Sequence, residues 1–128
     1  FVRIRNNGGA VLSDSAAWNI VTSDISLQGG AASFTLEDSA RASLLSSSFD
    51  VDGTVNLHDS ANIEASQSGI TISSGGFIAQ DFSVVSVTNS SSFLVNNGGV
   101  SFCDNASLFI DSTSSFTVSG GIVVFKNE

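Results

Sequence analysis

Paired glycines recur along this 128-residue chain at nearly constant spacing. They fall at Gly8-Gly9, Gly29-Gly30, Gly75-Gly76, Gly98-Gly99 and Gly120-Gly121, with Asp52-Gly53 in the remaining place, at successive offsets of 21, 23, 23, 23 and 22 residues. Aspartate keeps the same period. Asp14, Asp38, Asp59, Asp81 and Asp104 stand 24, 21, 22 and 23 residues apart, and the next step of 23 lands on Asn127. Two independent markers sharing one period make this a repeat architecture. A unit this short cannot bury its apolar face alone, so its copies must stack.

The residues between the markers set the geometry. Two positions before each Asp come Leu12, Leu36, Leu57, Ala79 and Phe102, with Phe125 preceding Asn127. Four after it come Trp18, Ala42, Ile63, Val85 and Leu108, and six after it Ile20, Leu44, Ala65, Val87 and Ile110. The pairs Ile25/Leu27, Phe49/Val51, Ile70/Ile72, Phe93/Val95 and Phe116/Val118 close each unit. Apolar positions two apart with polar residues between them follow the strand period, and no segment shows the helical one.

Each unit thus reads as three short strands separated by three turns, one Gly-Gly, one Asp-Ser-Ala and one serine-rich. Glycine is expected to supply unusual backbone angles, and Asp and Ser to bond their own turn amides. The predicted fold is all-β, a right-handed, three-faced parallel β-helix of about 22–23 residues per rung and five to six rungs, with no significant helix. An antiparallel sandwich would give no reason for chemically matched columns at this spacing. At one strand separation per rung the rod is on the order of 25 Å long. Small residues beside large ones, as in Trp18, Ala42, Ile63, let rungs interdigitate.

Composition narrows the function classes. Twelve acidic against four basic residues give a net charge of −8, which argues against a nucleic-acid binder. No apolar run approaches the ~18 residues of a membrane-spanning helix. The single cysteine, Cys103, excludes an internal disulfide. Residues 1–128 read as one β-solenoid domain whose two ends fall within a rung, because Val2 and Ile4 phase with a third strand and Val123, Phe125 and Asn127 with a first. The expectation is a segment of a longer β-helix.

The unit resembles the repeats of the chlamydial polymorphic membrane proteins, whose passenger domains are β-helical autotransporter adhesins. Those repeats carry GGA followed by Ile, Leu or Val, and FxxN. Gly8-Gly9-Ala10-Val11 matches the first; Phe93-Leu94-Val95-Asn96 and Phe102-Cys103-Asp104-Asn105 match the second. Gly98-Gly99-Val100-Ser101-Phe102 and the run from Gly120 to Phe125 keep the rhythm with a different third residue. The resemblance implies an extracellular or cell-surface protein with an adhesive or scaffolding role. Its partners would be a host surface protein or glycan, or neighbouring solenoid copies. It carries across no binding residue.

The search for chemistry yields few candidates, and no catalytic residue or cofactor is assigned. Asp14, Asp38, Asp59, Asp81 and Asp104 form a column that a Ca²⁺ ladder could occupy. Turn capping is the favoured reading, since the nonapeptide of calcium-binding β-rolls is missing. Asp50 and Asp52 are the nearest approach to the paired acids of a polysaccharide hydrolase, with Asp24 placed roughly below Asp50 and Thr71 above. His58 and Cys103 share an outward column two rungs apart, about 10 Å, too far for a dyad. The outward positions Ser26, Asp50, Thr71, Leu94 and Thr117 form no regular threonine array, which excludes ice binding. Phe82, Leu94 and Phe109 are predicted to point outward. Sequons occur at Asn89 and Asn105. The expected role is a rigid stalk or adhesive spacer without catalysis. The alternatives are a polysaccharide-active enzyme whose cleft lies in loops absent here, and a filament subunit stacking end to end.

Overall fold

A computed structural model describes residues 2–4 and 9–126, and among them every regular element is a strand. In chain order these are β1 (Val2–Ile4), β2 (Gly9–Leu12), β3 (Ala17–Val21), β4 (Asp24–Leu36) and β5 (Arg41–Leu45). There follow β6 (Ser48–Leu57), β7 (Asn62–Ser66), β8 (Gly69–Ile72), β9 (Phe77–Ala79) and β10 (Val84–Thr88). The last five are β11 (Ser92–Asn96), β12 (Val100–Cys103), β13 (Ser107–Ile110), β14 (Ser115–Ser119) and β15 (Val123–Lys126). No helix among the described residues is long and apolar enough to cross a membrane.

Every pairing is parallel, and the strands stack in three ladders. The first runs through β2, the second halves of β4 and β6, then β9, β12 and β15. The second runs through β3, β5, β7, β10 and β13. The third joins β1, the first halves of β4 and β6, then β8, β11 and β14. The result is a β-solenoid of about five turns. Its registers follow the columns read from the sequence: Trp18 pairs with Ala42 and Ala42 with Ile63, while Leu57 pairs with Ala79 and Ala79 with Phe102. Asn127, the last member of the Asp column, lies outside the described residues.

One expectation fails at the glycine corner. Three separate strands were expected in each unit, yet β4 and β6 pass around this corner without a break, so the first and third ladders merge there into one sheet. The ladder stays paired because glycine lets the two backbones touch as they bend. In β4 the passage is bulged: Leu27 pairs with Val51 and Ala32 with Gly53, so residues 28–31 face Asp52 alone.

The interior is a continuous stack of alternating strand residues. Trp18, Phe34 and Phe49 cluster near the first rungs, with Phe34 and Phe49 edge to face at 4.9 Å between centroids. Phe77, Phe93, Phe102 and Phe116 form a second cluster, with Phe77 and Phe93 5.1 Å apart. Between them lie the buried aliphatics Val51, Val55, Leu57, Ile63, Ile70 and Ile72. Each such side chain contributes about 1.5–3 kcal/mol on burial. The inward residues of the last described strand, Val123 and Phe125, are exposed.

Candidate functional site: three corners and the outer faces

The chemistry-bearing side chains gather at the corners, and each corner works differently. At the Asp corner, Asp14, Asp38, Asp59, Asp81 and Asp104 all hold left-handed backbone angles, with φ of 58, 60, 58, 61 and 58°. Aspartate tolerates this region better than most side chains. Three of these carboxylates, on Asp38, Asp59 and Asp81, cap the rung before them and not their own turn. Oδ2 of Asp38 accepts the Asp14 N–H at 3.0 Å, Asp59 accepts that of Asp38 at 3.2 Å, and Asp81 that of Asp59 at 3.2 Å. Capping through each residue's own amides, the sequence expectation, is therefore corrected to capping across rungs. Among the described residues no three of His, Cys, Asp and Glu converge as a metal cage requires.

The serine corner also uses left-handed residues: Thr22, Ser46, Gln67 and Asn89, with φ between 47 and 55°. The serine after each of the first three, and Ser91 two places after Asn89, turns inward. The Ser23 N–H donates to the Ser47 hydroxyl at 3.2 Å, Ser47 to Ser68 at 3.1 Å, Ser68 to Ser91 at 3.0 Å, and Ser91 to Ser114 at 3.1 Å. Each hydroxyl in turn donates to a carbonyl of its own rung: Ser47 to Leu45 at 2.8 Å, Ser68 to Ser66 at 2.7 Å, and Ser91 to Thr88. Ser47, Ser68 and Ser91 are buried, so the ladder satisfies amides that water cannot reach. The sequence reading expects these serines to bond the amides of their own turns, and the structure instead joins them across rungs. The signal was present in their own regular spacing, at positions 23, 47, 68, 91 and 114.

On the outside of the same corner, Asp111 accepts the Asn89 N–H at 2.7 Å and both the backbone N–H and hydroxyl of Thr113. The Asn89 amide first, then the Ser114 hydroxyl, hold its carboxyl well below the ordinary 3.8, at about 2.

At the glycine corner the expected role of glycine is corrected. Among the described glycines only Gly29 and Gly120 have positive φ. The requirement is close approach: a Cβ on Gly53 would lie 1.8 Å from the Ala32 carbonyl oxygen, and one on Gly98 1.5 Å from that of Gly75. Gly75 and Gly121 meet the carbonyls of Gly53 and Gly98 in the same way.

The remaining candidates do not assemble into a centre. Asp50 stacks on Ser26 and under Thr71, so Asp24 is not its neighbour below; Asp24 pairs with Ser48, whose hydroxyl donates to it at 2.5 Å. Asp52 accepts the Ser74 hydroxyl. His58 and Cys103 are half-buried, less exposed than an outward corner suggests, and the Cys103 Sγ lies 3.1 Å from the Ser101 hydroxyl. On the second face Arg41 pairs with Glu64 one rung on. Phe82 and Phe109 point outward as expected, at 66% and 57% exposure, while Leu94 is half-buried. The outer side of the first ladder runs through Ser33, Thr35, Thr54 and Asn56 in β4 and β6, then Ile78, Ser101 and Val124, with Ile122 beside glycines 76 and 99.

Comparison of the chain with protein families, curated proteins and solved structures found no match.

Proposed function

We infer that the chain is a rigid structural module, a stalk or adhesive spacer of a surface-displayed or secreted protein, with no catalytic chemistry of its own. The observation that carries this reading is the tightness of the rungs. Successive partners in the second ladder, such as Trp18, Ala42, Ile63, Val85 and Leu108, are 24, 21, 22 and 23 residues apart. That spacing leaves room for three strands and three short corners. Enzymes place their reacting groups on loops that wall a cleft, and the described corners have no such excursion. The stacked carboxylates and hydroxyls are already bonded to backbone, which suits a rod held in register. Contact with a host protein, a glycan or a neighbouring solenoid would use the flat outer faces.

Two assays on the intact chain test this. Beads coated with the protein should adhere to a subset of a cell or glycan panel. Incubation with neutral and acidic polysaccharides should release neither reducing ends nor unsaturated products. Saccharide cleavage that disappears with Asp50→Asn would replace the spacer by the hydrolase reading.

A further inference from the structure

Two Asn-x-Ser sequons lie in the chain, Asn89-Ser90-Ser91 and Asn105-Ala106-Ser107, and the fold treats them in opposite ways. Transfer of a sugar to such a sequon needs the asparagine amide free and the hydroxyl two residues on presented beside it.

At the first sequon both groups are engaged. The Asn89 side-chain nitrogen donates to the Ser66 hydroxyl at 2.9 Å, and its backbone N–H is held by Asp111. Ser91 is 2% exposed; its hydroxyl accepts the Ser68 N–H and donates to the Thr88 carbonyl. Serine at 91 is explained by the buried ladder, so this sequon is a by-product of the corner. At the second sequon Asn105 and Ser107 are exposed, and neither side chain has a hydrogen-bond partner among the described residues. Asn105 stands at the Asp corner directly after left-handed Asp104, and Ser107 opens β13. Only the backbone of Ser107 is engaged, through its N–H to the Ser83 carbonyl at 2.9 Å. The corner leaves both reacting side chains unencumbered.

We propose that Asn105 is an acceptor for N-linked sugar in the folded chain and that Asn89 is not. In the transfer the Asn105 amide nitrogen bonds to the anomeric carbon of a nucleotide-activated hexose, the nucleoside diphosphate leaves, and the amide gives up one proton. The fold thereby presents a single attachment point, at the corner position one rung on from exposed Phe82.

The test uses the purified folded protein, a soluble N-glycosyltransferase that recognises Asn-x-Ser/Thr, and its nucleotide-hexose donor, with peptide mapping by mass spectrometry. The expected result is one hexose at Asn105, with Asn89 modified at least about tenfold more slowly because its sequon must first open. Urea-unfolded chain should accept hexose at both. Asn105→Gln and Ser107→Ala should each abolish modification of the folded chain while leaving its circular dichroism unchanged, and Asn89→Gln should leave it intact. Equal rates at the two sites in the folded chain, or refusal of hexose at Asn105, would overturn the proposal.

Discussion

The glycine corner and the serine corner both return the chain to the next strand, and they do so by opposite means. At glycine the side chain is removed so that one backbone rests on the carbonyl below. At serine a side chain is kept, turned inward and bonded to the backbone of both rungs. The first corner depends on shape and, at the glycines that rest on a carbonyl, tolerates nothing larger; the second depends on hydrogen-bond partners and tolerates nothing less polar. The Asp corner is a milder, exposed version of the second. Closely repeated backbones can therefore be held in register by an excluded volume, as at Gly53, Gly75, Gly98 and Gly121, or by a satisfied donor, as at the inward serines.

The largest effect should come from breaking the shape rule. Gly98→Ala places a methyl 1.5 Å from the Gly75 carbonyl and should cost about 3 kcal/mol in urea unfolding. Its neighbour is the control: a Cβ on Gly99 meets the Ile122 carbonyl at 3.6 Å, an ordinary contact, and Gly99→Ala should shift stability by less than about 0.5 kcal/mol. Similar losses at the two positions would show that backbone conformation, and not close approach, selects these glycines.

Breaking the donor rule comes next. Ser68→Ala removes the buried acceptor of the Ser47 N–H and the donor to the part-buried Ser66 carbonyl, and should cost about 2 kcal/mol. A loss below about 0.5 kcal/mol would mean the ladder is passive. At the exposed corner Asp59→Ala loses the bond from Asp38 and puts alanine at positive φ, for about 1 kcal/mol. Asp59→Asn keeps an acceptor and a residue that tolerates that conformation, so its thermal unfolding should match the parent. If asparagine and alanine behave alike, the capping bond across rungs contributes nothing.

The smallest effect is a titration. Asp111 is held at about 2 in the folded chain against 3.8 ordinarily. A depressed carboxylate stabilises the fold above its unfolded pKa, and that contribution fades as pH falls from 3.8 through about 2. Carboxyl-carbon NMR should place the Asp111 midpoint near 2, and Thr113→Ala should move it upward. A midpoint near 4 would remove the cap from the outer serine corner.

The ladders were legible because in-register parallel stacking repeats the same environment every rung. Phe49 above Ile25, or Phe93 above Ile70, announces itself by chemistry and phase. What stayed hidden were the corner mechanisms. Ser68 and Ser73 look alike in sequence, yet one is buried and the other exposed, because polarity alone does not say which way a corner residue turns. The Asp caps escaped because donor and acceptor lie 21–24 residues apart, far beyond a local turn motif. The unbroken run of β4 and β6 was missed because glycine usually signals a turn, whereas here it permits contact.

The inter-rung caps also decide in what steps such a rod can change length. Since each rung borrows its acceptors from the next, removing part of a rung orphans donors at two corners. Removing a whole one, such as residues 62–83, joins Ala61 to Val84 and hands the Ser47 N–H from Ser68 to Ser91, an acceptor of the same kind at the same place. Insertions and deletions are thus tolerated in whole turns and punished in fractions. Each whole turn gained or lost would change the reach by one strand spacing, about 4.8 Å, with the inward serine ladder kept in register.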